Sequence, residues 1–120
     1  MENNTLINPS ICIDLKKKRI RIHKVTLHQM RNPSYIQILV NPTTQGMIIR
    51  KCSSKDKYAH KVKEYHMNGD YCYELYSKEL LMNMKSVADE WEDEQSYRIY
   101  GSYNSTLDAA FFSLKDIITI

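Results

Sequence analysis

Residues 11–22 read ICIDLKKKRIRI, and this stretch decides the class of fold. Isoleucine and leucine alternate with other residues on both sides of three consecutive lysines. A period of two with β-branched residues is typical of strands that bury one face and expose the other. The lysines between the two runs are typical of a turn or an exposed edge, where charge also discourages unwanted strand pairing. The stretch therefore predicts a pair of half-buried strands.

The residues that follow predict one short helix and one hairpin. Residues 24–30 have helical spacing for one or two turns, and this helix must end early because Pro33 disfavours a helical residue just ahead of it. Two β-rich runs, residues 35–40 and 47–50, flank a loop that contains one proline and one glycine. Such a pattern is typical of a β-hairpin.

The second half of the chain repeats this order. Residues 71–76 predict a strand, residues 77–87 predict a helix with Ser77 as its N-cap, and residues 96–103 with 109–114 predict another hairpin. Apolar residues of the helix recur at helical spacing and predict one buried face: Leu80, Leu81, Met84, Val87 and Ala88. Trp91 lies in the acidic segment that follows, where it either anchors a loop or meets a partner.

We therefore expect an α+β fold with two strand-helix-hairpin halves packed as one small β-rich domain. Residues 1–10 form a flexible tail in this interpretation, and residues 11–120 form the single domain. Its halves, 11–52 and 71–120, are joined by a charged linker over residues 53–70. The repeated order indicates either a true duplication or an order that small α+β domains often reuse.

Charge is divided unevenly between the two halves. Residues 1–66 carry thirteen lysines or arginines against four acidic residues, a net charge of +9, and the remainder of the chain nets −6. Five cations fall within the six residues 16–21. Such asymmetry indicates an anionic partner for the basic half. It is equally consistent with attraction between the halves or between two copies of the chain, and the sequence leaves both interpretations open.

The sequence offers no membrane or secretory signal. Its apolar stretches are far shorter than the roughly 20 residues that cross a bilayer, and its first ten residues lack the basic start and apolar run of a signal peptide. Three cysteines without a short repeated spacing favour free thiols over a disulfide framework. We expect a cytoplasmic protein that does not contact the membrane.

Catalytic and metal-binding patterns are absent from the sequence, so we expect neither an enzyme nor a cofactor. Two thiols and two imidazoles flank or lie within the linker and form the one set that merits a test as a zinc site: Cys52, His60, His66 and Cys72. Structural zinc sites have cysteine pairs with two to four intervening residues, which this set lacks. A hydrolase acting through the same cysteines and histidines is the least favoured of three functional hypotheses.

Part of the basic half resembles a known family of regulators. Residues 16–52 combine a basic strand, a short helix with Leu27 and Met30, and a hairpin that ends in IIRK. In this order they resemble the AbrB/MazE-like swapped-hairpin family of DNA-binding proteins. The resemblance implies a barrel made by two interlaced units, with DNA on one basic face. The contacts that it implies are Lys17, Lys18, Arg19 and Arg21, with Arg31 nearby. His23 stands where the family usually has proline, and the second half is acidic.

The leading hypothesis is a non-enzymatic DNA-binding regulator that uses the basic strand pair, acting as a homodimer. The alternative is a phage or mobile-element protein that captures a host protein or an anionic nucleotide signal, with phosphate clamped by Arg50, Lys51, Lys55 and Lys57. The predicted sites for an anion or a nucleic acid are Lys17, Lys18, Arg19, Arg21, Arg31, Arg50, Lys51, Lys55 and Lys57. Both hypotheses require cations that face outward and stay uncompensated by the carboxylates downstream.

Overall fold

The computed structural model describes residues 8–62, 72–88 and 90–120. These residues contain two helices, α1 (Lys24–Gln29) and α2 (Lys78–Val87). They also contain ten strands: β1 (Ser10–Asp14), β2 (Arg19–His23), β3 (Tyr35–Asn41), β4 (Gly46–Lys51), β5 (His60–Lys61), β6 (Cys72–Leu75), β7 (Ser96–Tyr100), β8 (Ser102–Asn104), β9 (Ala109–Ser113) and β10 (Ile117–Thr119).

The strands form two five-stranded sheets. Sheet 1 has the order β10-β7-β1-β2-β6, and sheet 2 has the order β5-β3-β4-β9-β8. Neighbouring strands are antiparallel throughout. The expectation of a small, strand-rich α+β domain is therefore confirmed. Each sheet takes strands from both halves of the chain, so the two halves share one core.

The predicted strand pair at the start of the domain is an antiparallel hairpin of β1 and β2. Ile11, Ile13, Ile20 and Ile22 all point into the core and are completely buried. The residues between them lie on the opposite face because successive side chains of a strand alternate. The lysines occupy the turn, where the Lys17 N–H donates to Asp14 Oδ1 at 3.0 Å. The alternation in the sequence thus correctly predicted which face of the two strands is buried.

The domain begins within the segment predicted as a flexible tail, residues 1–10, of which residues 1–7 lie outside the described residues. Pro9 and Ser10 are buried, and Ser10 is the first residue of β1. The Ser10 N–H donates to Thr26 Oγ1 at 3.1 Å, and that hydroxyl donates back to the Ser10 carbonyl at 3.2 Å. This pair of hydrogen bonds ties β1 to α1, since Thr26 is itself completely buried.

Both helices begin where side chains satisfy their first N–H groups. His23 caps α1, because its Nδ1 accepts from the Val25 N–H at 3.2 Å. Ser77 caps α2 as predicted and accepts from the Leu80 N–H at 3.3 Å. Leu81 and Met84 of α2 are buried. The helices therefore pack one apolar side on the sheets, as their spacing predicts.

The last hairpin differs from the expectation. Residues 96–104 bend at Gly101, so that β7 lies in sheet 1, beside β1, while β8 pairs with β9 in sheet 2. A Cβ on Gly101 would lie only 2.2 Å from the Phe111 carbonyl oxygen, and the Gly101 N–H donates to the Pro9 carbonyl at 2.9 Å. Glycine permits this close backbone approach. The bend therefore carries one segment from one sheet into the other.

Trp91 anchors the segment that follows α2. Its side chain is only 4% exposed, and Nε1 donates to the Leu114 carbonyl at 3.2 Å. Its ring stacks on Tyr97 with centroids 5.8 Å apart. Of the two roles considered for this residue, the structure thus supports the anchor. No helix in the described part of the chain has the length and apolarity needed to traverse a bilayer.

The charged segment predicted as a linker contains some regular structure. Its residues His60–Lys61 form β5, which pairs with β3 at the edge of sheet 2. Residues 63–70, which include His66, lie outside the described residues.

Candidate anion-binding site

The polar face of sheet 1 carries the candidate site. Because the isoleucines of β1 and β2 fill the core, the residues between them project to the other side, which we call the outer face of sheet 1. The outer face comprises Cys12, Asp14, Arg19, Arg21, His23, Glu74, Arg98 and Tyr100.

A short side chain lies between two long ones in the middle of this face. Cys12 on β1 is directly opposite Arg21 on β2 and directly opposite Arg98 on β7. Side chains paired in this way across strands have Cβ atoms about 5 Å apart, so the small thiol leaves room between the two guanidinium groups. We call this arrangement the arginine notch (Arg21, Cys12, Arg98). A cavity of about 230 Å³ occupies it, lined by Ser10, Ile11, Cys12, Arg21, His23, Cys72 and Arg98.

Arg98 contributes an available positive charge to the notch. Its Nε donates to Cys12 Sγ at 3.4 Å. This hydrogen bond and a further one to Tyr100 raise the pKa of Arg98, so the group is charged at every physiological pH. Within the described part of the chain, Arg98 forms no ion pair with a carboxylate. No carboxylate of the described residues therefore competes with an external anion for this guanidinium.

His23 supplies a neutral donor beside the guanidinium groups. Burial lowers the pKa of His23, and the charge of Arg98 lowers it further. Nδ1 accepts the Val25 N–H, which leaves the proton of the neutral ring on Nε2. Because the ring lines the cavity, its N–H can donate to an anion in the notch. Two guanidinium groups and one imidazole N–H suit a phosphate or carboxylate, for which arginine offers paired donors.

The predicted cations of β2 are partly compensated, contrary to the expectation of an uncompensated surface. Arg19 Nε lies 3.3 Å from Asp14 Oδ2, and its Nη1 lies 3.2 Å from Glu74 Oε2. Arg21 Nε lies 3.3 Å from the same Glu74 oxygen. Glu74 belongs to the acidic half, so attraction between the halves accounts for part of the charge asymmetry. The carboxylate also holds both arginines on the outer face.

Two more predicted cations converge on one acid elsewhere in the fold. Lys51 Nζ lies 3.0 Å from Asp108 Oδ2, and Arg31 Nη2 lies 3.6 Å from it. Tyr103 donates its hydroxyl to the other Asp108 oxygen. These hydrogen bonds, with the one from Tyr103 the strongest influence, lower the pKa of Asp108. Arg31 and Lys51 are therefore not part of the outer face of sheet 1.

Three more predicted cations lie on sheet 2 or in the segment between β4 and β5. Arg50 donates through Nε and Nη2 to Gln37 Oε1 at 3.0 and 2.8 Å, which holds it on sheet 2. Lys55 and Lys57 are exposed in the segment between β4 and β5, and the Lys57 ammonium lies 5.7 Å from the centroid of the exposed Tyr58 ring. The structure thus separates them from the β1–β2 hairpin.

Lys17 and Lys18 are exposed in the turn of that hairpin. Neither forms an ion pair with any carboxylate among the residues that the structure describes. Of the nine predicted residues, the hairpin thus brings together Lys17, Lys18, Arg19 and Arg21. The other five lie in sheet 2 and its connections.

Arg98 is the site residue that the sequence analysis missed. The sequence pattern that could have predicted it is SYRIY, in which Tyr97 and Ile99 alternate with Arg98. The structure has Tyr97 and Ile99 buried, so Arg98 lies on the opposite face. The net negative charge of the second half gave no indication of a binding cation there.

The cysteine and histidine set considered for zinc does not come together in the described residues. Burial and Asp56 raise the pKa of the Cys52 thiol, whereas burial lowers the pKa of His60. Cys72 lies on β6 beside His23, in the arginine notch. Across residues 8–62, 72–88 and 90–120 no three histidine, cysteine or acidic side chains are grouped in a way that could hold a metal ion.

No protein-family model, curated protein or solved structure matches this chain. The geometry of the arginine notch is therefore the basis for the functional proposal.

Proposed function

We propose that this protein is a non-enzymatic regulator that binds DNA through the outer face of sheet 1. One observation carries the proposal: Arg21 and Arg98 flank the small Cys12 side chain and leave a notch between two guanidinium groups. Arginine recognises phosphate with two parallel hydrogen bonds, and a guanidinium is less strongly hydrated than an ammonium. A backbone phosphate fits the charge and the hydrogen-bond donors of this notch.

The turn of the β1–β2 hairpin extends the proposed surface. The turn begins at Leu15, three positions after Cys12, and a strand rises roughly 3.3 Å per residue, so the turn begins about 10 Å from the notch. Successive phosphates of one DNA strand lie roughly 3.4 Å apart along the helix axis. The basic residues from the notch to the turn can therefore contact separate phosphates of one ligand.

Exposed aromatic residues on the same side favour an unpaired strand as the ligand. Tyr100 is 48% exposed and lies directly opposite Ser10, which lines the notch. Tyr76 is 63% exposed and lies two positions after Glu74, to which its hydroxyl donates at 3.2 Å. Bases that are free of a duplex stack on such rings, while a positively charged groove follows the backbone.

The alternative function has its own local support. A phage or mobile-element protein that captures a host protein or an anionic nucleotide would use the cations of sheet 2. Arg50 and Lys51 are engaged by Gln37 and Asp108, so this proposal rests on the exposed pair Lys57 and Tyr58. A cation beside an aromatic ring suits a nucleotide, but it offers one ammonium charge, whereas the notch offers the Arg98 guanidinium together with the Arg21 guanidinium, which is also paired with Glu74.

The proposal also includes a family relationship, an oligomeric state and a cellular location. The relationship to the swapped-hairpin family rests on the order β2-α1-β3-β4 alone. The order β6-α2-β7-β8 suggests a second such unit, although β3 lies in sheet 2 and β7 lies in sheet 1. We further propose that the protein acts in the cytoplasm. We also propose a homodimer, because a second copy would double the number of phosphate contacts.

Titration of labelled DNA tests the proposal. We expect a single-stranded oligonucleotide to bind at about 50 mM salt and to be released by about 200 mM, because bound phosphates release counterions. Arg98→Ala should weaken binding for all sequences and reduce the slope of log affinity against log salt by about one. Fluorescence anisotropy measures both quantities.

Lys115→Ala is the matched control, since it removes an exposed cation between β9 and β10. It should leave binding within about twofold of the unmodified protein. Absence of binding at low salt, or equal effects of Arg98→Ala and Lys115→Ala, would contradict the proposal. Stabilisation by a mononucleotide that Lys57→Ala abolishes, without DNA binding, would favour the alternative.

A further inference from the structure

A second cavity lies between α2 and the turn of the β1–β2 hairpin. Its volume is about 450 Å³, within the range of roughly 300–1,000 Å³ that is typical of small-molecule sites. We call it the α2 groove, and it is lined by Leu15, Lys18, Lys78, Leu81, Met82, Lys85, Ser86 and Asp93. None of these residues lines the arginine notch.

The apolar part of the groove comes from one face of the helix and one residue of the turn. Lys78, Leu81, Met82 and Lys85 recur at three- and four-residue steps and therefore share a helix face. Leu81 is 4% exposed and Leu15 is half-buried, so these two form the floor. Met82 is 64% exposed at the wall, although it is a large apolar residue.

Positive charge surrounds this apolar floor. Lys85 donates to Asp93, and this hydrogen bond lowers the pKa of that carboxyl, with a smaller contribution from Lys18. Lys18 and Lys78 are exposed and form no ion pair with another described residue. The groove thus combines an apolar interior with three lysines against one aspartate, an excess of positive charge at its edge.

We propose that the α2 groove binds a single-chain carboxylate amphiphile, that is, a fatty acid. The acyl chain would cover Leu15, Leu81 and Met82, and the carboxylate would meet Lys18 or Lys78. A peptide fits less well, because its backbone N–H and C=O groups would lose their hydration against apolar walls without gaining partners. An acyl chain carries no such groups, and its single charge has the sign that the lysines require. This site is separate from the arginine notch, but it shares Lys18 with the hairpin turn that extends the proposed DNA surface.

Calorimetric titration with decanoate, below its micellar concentration, tests the site. We expect saturable binding at one site per chain. Met82→Glu should weaken it by at least about tenfold, because a carboxylate in the wall would be desolvated by the chain and would repel the head group. Lys18→Gln combined with Lys78→Gln should weaken decanoate binding by about three- to tenfold but leave decanol binding unchanged.

Asn83→Glu is the matched control for Met82→Glu, because Asn83 is the next residue of α2, is exposed and does not line the groove. It should bind decanoate as the unmodified chain does. The proposal is overturned if decanoate shows no saturable binding, or if the two glutamate variants behave alike. Binding of an acidic peptide that decanoate fails to displace would assign the groove to a protein partner and equally overturn it.

Discussion

Arg98 and Cys12 lie directly opposite each other on β7 and β1, and the Arg98 Nε donates to Cys12 Sγ at 3.4 Å. The two residues are 86 positions apart in the chain. Their contact joins the acidic half of the sequence to the most basic hairpin. It places the guanidinium of Arg98 near that of Arg21. The candidate site is therefore a product of strand pairing between halves and not of the basic stretch alone.

Filling the notch should prevent an anion from binding between Arg21 and Arg98. We expect Cys12→Leu to weaken DNA binding by about tenfold, because the larger side chain occupies the space between Arg21 and Arg98. Cys12→Ser, which keeps the size of the thiol, should bind within about twofold of the unmodified protein. Anisotropy titrations of both variants check this. Equal binding by the leucine and serine variants would show that the phosphate does not enter the notch.

Removing the acid that holds Arg19 and Arg21 should strengthen anion binding. Glu74→Gln removes the carboxylate charge beside both guanidinium groups, while Arg19 keeps its ion pair with Asp14, so we expect tighter DNA binding and a salt dependence steeper by up to about one. The same change should destabilise the fold by about 1 kcal/mol, since the pair is partly buried. Glu92→Gln removes an exposed acid outside the outer face and should change neither quantity. Weaker binding by Glu74→Gln would mean that the two arginines need Glu74 for their orientation.

Local patterns predicted the local elements well. The alternation over residues 11–22 gave the β1–β2 hairpin and its four buried isoleucines, and Ser77 gave the start of α2. Both features depend on neighbours in sequence: the period of side chains along a strand, and a hydroxyl three residues before an unpaired N–H.

Contacts between distant segments could not be predicted in this way. Nothing in the periodicity of β1 specifies β7 as its second neighbour, so the position of Arg98 beside Cys12 was out of reach. The same holds for Glu74, which pairs with Arg19 and Arg21 only because β6 lies beside β2. The charge of each half was therefore a poor guide to the charge of each surface.

Stability should fall between neutral and mildly acidic pH, and His23 should account for part of that fall. Burial and then the charge of Arg98 lower the pKa of His23 in the folded state. The unfolded chain therefore binds a proton more readily below about pH 6.5, which favours unfolding as the pH decreases toward the folded-state pKa. Above that range His23 is neutral in both states, so its titration has no effect on stability.

His23→Asn isolates this contribution, because asparagine also caps helices well but does not titrate. We expect its free energy of unfolding, from urea titrations at pH 7 and pH 5.5, to change less than that of the unmodified chain. Burial also lowers the pKa of His60, so a residual pH dependence should persist. An unchanged pH dependence in His23→Asn would show that the imidazole titrates alike in both states.

The bend between the two sheets should tolerate no side chain. In Gly101→Ala the new Cβ would lie 2.2 Å from the Phe111 carbonyl oxygen and 2.6 Å from the Phe112 ring, and the backbone atom cannot move without disturbing the β8–β9 pairing. We expect a loss of about 2–3 kcal/mol of unfolding free energy, as for overpacked cores. Gly46→Ala is the control, because its Cβ would meet the Thr44 hydroxyl at 3.1 Å, which can rotate away, and the Phe112 carbonyl oxygen at 3.5 Å, an ordinary van der Waals contact. Urea titrations of the two variants compare these effects, and similar midpoints for both would show that β7 and β8 do not need a glycine where they cross between the sheets.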